Sequence, residues 1–198
     1  MRGEALDHAE VDESGIPGDR SSALFAQGGA RVGKTYRGKE HDRLHLLSSA
    51  EAAIDAAALR GVVAKLRRGA HFFDDAPISV LVDCWLNELS AFVGYRVEWE
   101  RFRPNFFVRA PADYIEQEPE LVDAELALGT VRLRVRGPIE RCVTTTYHPQ
   151  GKPSDPRILQ FLASRRNACI GIYCDVVTAG VARVGDPLIR IGVDGRPA

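Results

Sequence analysis

The sequence predicts a mainly β fold in which helices interrupt the strands and the sheet closes into a barrel. Apolar and charged residues alternate with a period of two, most clearly over 131–136, as in a strand with one buried face. Helical patterns lie between some of the strand patterns. Strands and helices do not alternate regularly, however, as they would in a fold built from βαβ units. This order of elements favours a β-barrel core with helical excursions, an α+β variant of the mainly β class.

The first third of the chain is predicted to be turn-rich and to contain one helix. Residues 1–45 have many glycines and only short apolar segments. The helix is expected to begin at Ser48, because Ser48 and Glu51 have the spacing of a capping box. An alanine-rich stretch then continues to about Gly61 or Leu66.

The middle of the chain predicts a buried strand, a second helix and further strands. The short run over 78–82 is apolar except for one serine, and Asp83 directly after it is expected to cap a helix that ends at Gly94. Residues 95–100 alternate with the period of a half-buried strand, and the apolar run over 106–108 predicts another.

The last third is predicted to be strands with one helix. The strand over 131–136 is expected to break at 137–138, a Gly-Pro pair, and strand-like β-branched residues resume over 141–146. Ser-Asp-Pro at 154–156 is typical of a helix start. The chain is expected to finish with strands over 169–178 and 181–191, with a turn at 184–187.

Composition excludes several classes of protein. The chain has 198 residues, 26 basic and 27 acidic, so a formal net charge of -1 gives no global attraction to nucleic acid or an anionic membrane. No apolar run approaches the roughly 20 residues that span a bilayer, and the acidic N-terminus does not resemble a signal peptide. The four cysteines form no C-x-x-C pair and are too sparse for a disulfide scaffold. A reduced, cytoplasmic location is therefore predicted.

A match to the nucleotide-binding phosphate loop occurs over 28–35, with the sequence GGARVGKT. A true phosphate loop needs a strand before it and a helix directly after it, so that the helix N-terminus faces the phosphates. The stretch over 36–43 has a glycine at its third position and no apolar stripe. We therefore interpret the match as a glycine-rich turn between strands rather than a nucleoside triphosphate site.

Two segments concentrate reactive chemistry. Arg101 and Arg103 have strand spacing, which predicts that both point to one face, and Pro104 fixes the backbone where Asn105 presents its amide. Cys142 lies among threonines beside an arginine, and a nearby cation favours the thiolate, which is a metal ligand or a nucleophile. The residues alone also allow structural explanations without a functional site. Cys142 could be a thiol buried in the core, and the alternating arginines could form the solvated face of a strand.

Several motifs in order give the chain a resemblance to the MOSC domain family, the C-terminal domain of molybdenum cofactor sulfurase and its relatives. The similarity extends over nearly the whole chain, and relatives usually have Asp where this chain has His148. The motifs are GIPGDR (15–20), RGKEHDRL (37–44), RFRPNFFV (101–108), RCVTTTYHP (141–149), GIYCDVV (171–177) and RVGDPL (183–188).

The resemblance implies a MOSC-type β-barrel that binds a pterin-based molybdenum cofactor. In the amidoxime-reducing branch of the family, the cysteine of the motif that corresponds to RCVTTTYHP ligates molybdenum. The resemblance therefore implies that Cys142 is a catalytic residue and the metal ligand. The remaining cysteines match no motif and are expected to be core thiols. The residues that match positions near the cofactor are Arg103, Asn105, Arg141, Lys39 and Tyr173.

Two functions remain open under this resemblance. The first is a molybdenum-dependent oxidoreductase that reduces N-hydroxylated small molecules with electrons from a separate reductase. The chain itself has no iron–sulfur pattern and no convincing dinucleotide fingerprint. The alternative is a carrier of sulfur or molybdenum cofactor without turnover, which needs a separate sulfur donor because no pyridoxal-phosphate domain is present. A third possibility is a structural relic that binds no cofactor.

The resemblance also predicts the domain organisation. Residues 1–75 are expected to form an N-terminal β subdomain with one helix, and residues 76–198 the barrel core. Relatives commonly have a strand that ends in Pro-Val-Lys-Ser before a segment like Arg2–Leu6, so we expect this chain to lack the first strand of that subdomain. A barrel without a strand exposes a sheet edge.

Overall fold

The computed structural model describes residues 3–28, 32–35, 44–47, 64–69, 72 and 75–192. Ten strands lie in these segments: β1 (His8–Val11), β2 (Ser22–Ala26), β3 (Ala64–Arg68), β4 (Ile78–Val82), β5 (Phe106–Val108), β6 (Glu125–Leu128), β7 (Val131–Glu140), β8 (Cys169–Thr178), β9 (Gly180–Arg183) and β10 (Leu188–Ile191). The α-helices of the same segments are α1 (Asn87–Val93) and α2 (Arg157–Arg165). Short 3-10 turns occupy Leu44–Leu46, Asp83–Leu86, Trp99–Phe102, Glu118–Leu121 and Val143–Thr146.

A curled six-stranded sheet forms the centre of the molecule, with the strand order β10-β6-β7-β8-β4-β5. Its neighbouring strands are antiparallel except for β4 and β5, which are parallel. Two further pairs, β1 with β9 and β2 with β3, are antiparallel. The predicted class, mainly β with inserted helices, is therefore confirmed.

The hydrophobic core lies between the sheet and the two helices. All five residues of β4 are buried, as expected for a strand covered on both faces. Helix α1 buries Leu89 and Val93, and α2 buries Phe161 and neighbouring apolar residues. The rings of Phe92 and Phe161 lie 5.3 Å apart and join the two helices. No helix among the described segments has the length and apolar content needed to cross a bilayer.

Most of the predicted elements after residue 77 are confirmed. Strand β7 alternates buried and exposed residues over 131–136 as its sequence predicts. Helix α1 ends at Gly94, whose φ of 84° is the left-handed conformation that glycine adopts freely. Strand β7 does not end at 137–138, however. It continues to Glu140 with shifts in register, so the Gly-Pro pair causes irregular pairing rather than a break.

Two predicted strands are wrong. Residues 95–100 are irregular and lead into the 3-10 turn Trp99–Phe102, since the N–H of Val97 donates to Ser90 Oγ at 3.1 Å instead of to a neighbouring strand. Residues 141–146 contain the 3-10 turn Val143–Thr146. There the hydroxyls of Thr145 and Thr146 donate to backbone carbonyls three residues earlier, which replaces strand pairing with local hydrogen bonds.

One helix prediction is wrong about its cap, and another is described only at one of its proposed ends. Asp83 does not cap α1, because its carboxylate accepts a hydrogen bond from the N–H of Ala110 at 2.9 Å. The helix predicted from Ser48 lies mostly in 48–63, outside the described residues. Leu66, one of its proposed ends, lies in β3 opposite Leu24. The division into 1–75 and 76–198 stays a prediction.

The phosphate-loop match forms a turn where it is described. The N–H of Gly33 donates to the carbonyl of Ala26 at 2.8 Å, and the N–H of Ala26 donates to the carbonyl of Lys34 at 3.0 Å. Thr35 then pairs with Phe25 as an isolated bridge. The chain thus returns along β2, and residues 32–35 begin no helix. This geometry favours the turn interpretation; residues 29–31 and 36–43 lie outside the described segments.

Candidate functional site

Asn105 fastens the start of β5 to β4 through Ser79. Asn105 Oδ1 accepts hydrogen bonds from the backbone N–H of Ser79 at 3.0 Å and from its hydroxyl at 2.8 Å. The N–H of Asn105 donates to the carbonyl of Ser79 at 2.9 Å. Asn105 Nδ2 donates to Asp19 Oδ2 at 2.7 Å. The amide is therefore held at both ends, and it connects the sheet to the N-terminal segment.

Arg20 reaches the same place from the N-terminal segment. Its Nη1 atom lies 3.5 Å from Asn105 Oδ1, and its Nη2 atom donates to the carbonyl of Arg103 at 3.4 Å. Sequence reasoning did not name Asp19 or Arg20 as site residues. The available indication was the GIPGDR motif, which ends with these two residues and belongs to the family resemblance.

Arg101 and Arg103 do not share one face, contrary to the prediction from their spacing. Arg101 lies in the 3-10 turn Trp99–Phe102 and is only 5% exposed. Its Nε donates to Glu98 Oε2 at 2.8 Å and its Nη1 to the carbonyl of Thr146 at 2.9 Å, so Arg101 holds two loops together. Arg103 has a φ of 50° and is exposed. That left-handed backbone turns the chain and separates the two side chains.

Arg141 follows β7 and turns its guanidinium toward the sheet. Its Nε donates to the carbonyl of Ile170 at 2.8 Å and its Nη1 to the carbonyl of Phe102 at 2.9 Å. Its buried Nη2 has no hydrogen-bond partner among the described residues. Burial lowers the pKa of Arg141 to about 10, an effect that the charges of Tyr173 and Cys142 oppose. The side chain is thus a cation held by neutral carbonyls.

Cys142 is the exposed residue among the four cysteines, all of which lie in the described range 75–192. Its Sγ lies 3.1 Å from Thr144 Oγ1, and its carbonyl accepts from the N–H of Thr145 at 3.1 Å, which fixes the backbone at the sulfur. Burial raises the pKa of the Cys84 and Cys169 thiols and raises that of Cys174 to about 12. Cys142 is therefore the cysteine best placed to meet a ligand.

Tyr173 and Lys39 complete the set predicted from sequence. Tyr173 lies in β8 opposite Ser79, the residue that holds Asn105. Lys39 lies outside the described residues. The structure thus connects Arg103, Asn105, Tyr173 and Arg141 through β4, β8 and the loop 102–105.

His148, at the position where the family resemblance led us to expect Asp, is a buried side chain that connects two loops. Its Nδ1 accepts from the N–H of Gln150 at 3.1 Å, as an Asp oxygen accepts at the same spacing in an Asx turn. Its Nε2 lies 3.2 Å from Glu98 Oε1. Burial raises the pKa of Glu98, but hydrogen bonds from its backbone and from Arg101 outweigh burial and hold the pKa below its ordinary value. His148 therefore holds its own turn and contacts Glu98.

The donor set at Cys142 contains one soft ligand. No group of three or more His, Cys, Asp or Glu side chains that could hold a metal ion occurs in the segments the structure describes. The cations near the site, Arg20, Arg103 and Arg141, suit an anionic molecule.

Comparisons with known proteins agree with this architecture. Mitochondrial amidoxime reducing component 2 from Macaca fascicularis and from Homo sapiens are each 29% identical to this chain over 131 residues. The match covers 60% of this chain and 38% of the length of each relative. The crystal structure of the YUAD protein from Bacillus subtilis has a similar fold, with a TM-score of 0.51 and 19% identity, over 92% of this chain and 84% of that one.

The predicted MOSC-type fold is confirmed by this structural similarity. A family model described as the MOSC domain matches residues 67–189, from within β3 to within β10. The matched range contains Asn105, Arg141 and Cys142. Because the model covers well over half of the chain, the protein belongs to the MOSC domain family.

Proposed function

We propose that the protein binds a molybdenum cofactor and reduces N-hydroxylated small molecules. The observation that carries the proposal is the exposed thiol of Cys142 beside Arg141, in a loop region with two further arginines. The matched relatives are named for amidoxime reduction, and family membership implies the cofactor. Substrate class and reaction type rest on relatives of low identity and are part of the proposal.

The residues present fit such a cofactor in their chemistry. A thiolate is a soft ligand of the kind found at redox-active metal sites, and Cys142 is accessible. Among the described residues, the buried Nη2 of Arg141 has no hydrogen-bond partner and its guanidinium forms no ion pair with a carboxylate. An anionic phosphate group would pair well with this guanidinium.

Each residue has a separate task in this proposal. Cys142 would hold the metal, and its carbonyl, fixed by Thr145, sets the direction of the side chain. Asn105 and Arg103 would orient the cofactor, while Lys39 and Tyr173 would contribute further contacts at its edge. When bound, the cofactor supplies two-electron redox chemistry, and the protein supplies position and electrostatics.

A separate reductase is the proposed source of electrons. The chain has no iron–sulfur cysteine pattern and no convincing dinucleotide fingerprint, the two sequence features that would indicate an internal electron donor. The predicted cytoplasmic location, which rests on the sparse cysteines, stays a proposal, and so does the expectation of no nucleic-acid partner.

A carrier function is the second candidate, and the exposure of Cys142 favours it as well. An accessible thiol beside Thr144 is suited to carry sulfane sulfur as a persulfide. Amidoxime reduction by pure protein with an artificial electron donor distinguishes the two functions. Turnover supports the oxidoreductase, and a persulfide on Cys142 without turnover supports the carrier.

The first test is the Cys142→Ala variant, purified from a molybdenum-replete host. We expect wild-type protein to contain molybdenum and pterin, and the variant to lose nearly all of its molybdenum because its protein ligand is gone. Metal analysis by mass spectrometry and pterin analysis by fluorescence measure both. Cys84→Ala is the matched control and is expected to retain the metal. Full retention in Cys142→Ala would refute the ligand assignment.

A further inference from the structure

The peptide group between Ile170 and Gly171 carries hydrogen bonds in two opposite directions. Its carbonyl oxygen accepts from Arg141 Nε at 2.8 Å, and its N–H donates to Glu118 Oε1 at 3.1 Å. In a trans peptide the C=O and N–H point to opposite sides of one planar unit. Arg141 and Glu118 are therefore connected through a single rigid group.

A β-bulge creates this arrangement. Pro138 pairs with Ile172 and Glu140 with Cys169, so Ile139 of β7 faces two residues of β8, Ile170 and Gly171. The extra residue of a bulge leaves backbone groups without a partner in the ladder. Here Arg141 takes the carbonyl and Glu118 takes the N–H, so the freed groups are satisfied by two charged side chains.

Gly171 provides the room that Arg141 needs. Its φ is +84°, and a Cβ atom there would lie 2.9 Å from Arg141 Nη2 and 3.0 Å from the carbonyl oxygen of Val80. Both distances are shorter than ordinary contacts, and the Val80 carbonyl belongs to the backbone of a core strand. The guanidinium thus packs against a surface that only glycine leaves open.

Glu118 is a buried carboxylate that accepts hydrogen bonds at both of its oxygens. It is 3% exposed, and its second oxygen accepts from Arg166 Nη2 at 2.5 Å. A buried carboxylate that lacked such a partner would be costly. Hydrogen bonds in series polarise one another, so a carboxylate on the Gly171 N–H makes the Ile170 carbonyl a stronger acceptor for Arg141.

We infer that Glu118 is a positioning residue that sets the place of the Arg141 guanidinium through the Ile170–Gly171 peptide. It touches neither Cys142 nor a ligand, and it acts from the opposite side of β8. Removing its charge weakens the carbonyl that holds Arg141 and lets the guanidinium move away from the thiol. The inference deepens the proposed function, because Arg141 and Cys142 are residues of the proposed site.

The test uses the full-length apoprotein and compares two alkylating agents at Cys142. Iodoacetate is anionic and iodoacetamide is neutral, and both react with the same thiolate, so the ratio of their rate constants at one pH reports the local positive potential. Mass spectrometry of the Cys142 peptide measures each rate. We expect Glu118→Leu to lower the ratio about two- to fivefold, and Glu118→Gln to lower it less, since the amide still accepts from Gly171.

The same substitution in an Arg141→Leu background shows whether Glu118 acts through Arg141. In that background, Glu118→Leu is expected to change the ratio no further. Glu116→Gln is the matched control, because Glu116 pairs with exposed Arg190, and it is expected to leave the ratio unchanged. Glu118→Gln is nearly isosteric and provides the measurement if the leucine variant does not fold.

Two results would overturn the inference. One is an unchanged ratio in both Glu118 variants, and the other is an equal fall with and without Arg141. Since the measurement needs no cofactor, its outcome is separate from that of the proposed function. Protein that never contains molybdenum, yet shows the Arg141-dependent fall, would refute the proposed function and retain the role of Glu118.

Discussion

Asn105 is the residue at which three parts of the chain meet. Its Oδ1 atom receives both donors of Ser79 from β4, and its Nδ2 atom donates to Asp19 of the N-terminal segment. Both ends of the amide are in use, so no other side chain of similar size satisfies the same partners. The fixed amide of Asn105 holds the loop 102–105 in position. The carbonyl of Phe102 in this loop accepts a hydrogen bond from Arg141.

Exchange of this amide for a carboxylate tests that reasoning. Asn105→Asp keeps the acceptor for Ser79 but faces Asp19 with a second negative charge, so we expect a loss of about 1–3 kcal/mol in the free energy of unfolding at neutral pH. The repulsion raises the carboxyl pKa in the folded state. The loss in free energy of unfolding relative to the wild type is therefore largest at neutral pH. It becomes smaller as the pH falls to about 4, where a proton shared between the two carboxylates restores a hydrogen bond.

Urea unfolding at the two pH values measures the effect. Asn87→Asp, an exposed change at the first residue of α1, is the control and is expected to be neutral or slightly stabilising, because acids favour helix N-termini. An equal deficit at both pH values for Asn105→Asp would contradict the explanation.

At the scale of elements, the sequence predicted strands well where burial alone decides the backbone. Strand β7 alternates buried and exposed residues because one face meets the core, and β4 is apolar except for the buried Ser79 because both faces are covered. Prediction failed where hydrogen bonds override the pattern. Residues 95–100 still bury Val97 at the expected position, but Ser90 takes its N–H, and threonine hydroxyls close the turn Val143–Thr146.

The start of α2 provides a prediction at the same scale. Hydrogen bonds from Arg157 lower the pKa of Asp155 to about 2, although burial opposes them, and the hydroxyl of Tyr95 also donates to this carboxylate at 2.9 Å. A pKa below the ordinary 3.8 means that the stabilisation is present above that pH and is lost as the pH falls through about 2.

Asp155→Asn is therefore expected to lower the free energy of unfolding by about 1 kcal/mol at neutral pH, a value reduced for the exposure of Arg157. The gap between wild type and variant should close as the pH approaches the lowered pKa. Chemical denaturation across this pH range measures the gap. A gap that is constant with pH would show that the carboxylate charge contributes nothing to the start of α2.

At the scale of the whole molecule, the site illustrates what a sequence reveals and what it hides. Cys142, Arg141, Arg103 and Asn105 lie in short motifs, so a family resemblance finds them. Glu118 is 53 positions from Gly171, and its hydrogen bond exists only because a bulge frees that N–H. The hydrogen bond between Asp19 and Asn105 joins residues 86 positions apart and likewise depends on how the chain folds. Contacts made by tertiary geometry have no local pattern.

The N-terminal segment also joins the rest of the molecule through β1. This strand pairs with β9 over four residues, and Val11 is 3% exposed within the same core cluster as Ile78 and Leu133. Such packing predicts that β1 and the central sheet unfold together, although the sequence suggested a subdomain boundary at residue 75. The two tryptophans, Trp85 and Trp99, both lie after that boundary and report on the sheet.

Val11→Ala distinguishes cooperative unfolding from independent subdomains. Loss of the buried methyl groups is expected to cost about 1–3 kcal/mol. If the molecule unfolds as one unit, the tryptophan fluorescence and circular dichroism transitions shift together to lower urea concentration. Val184→Ala, at a residue that is 79% exposed, is the control and should shift neither. A fluorescence transition that stays in place for Val11→Ala would contradict this expectation, since it would show that the sheet unfolds independently of β1.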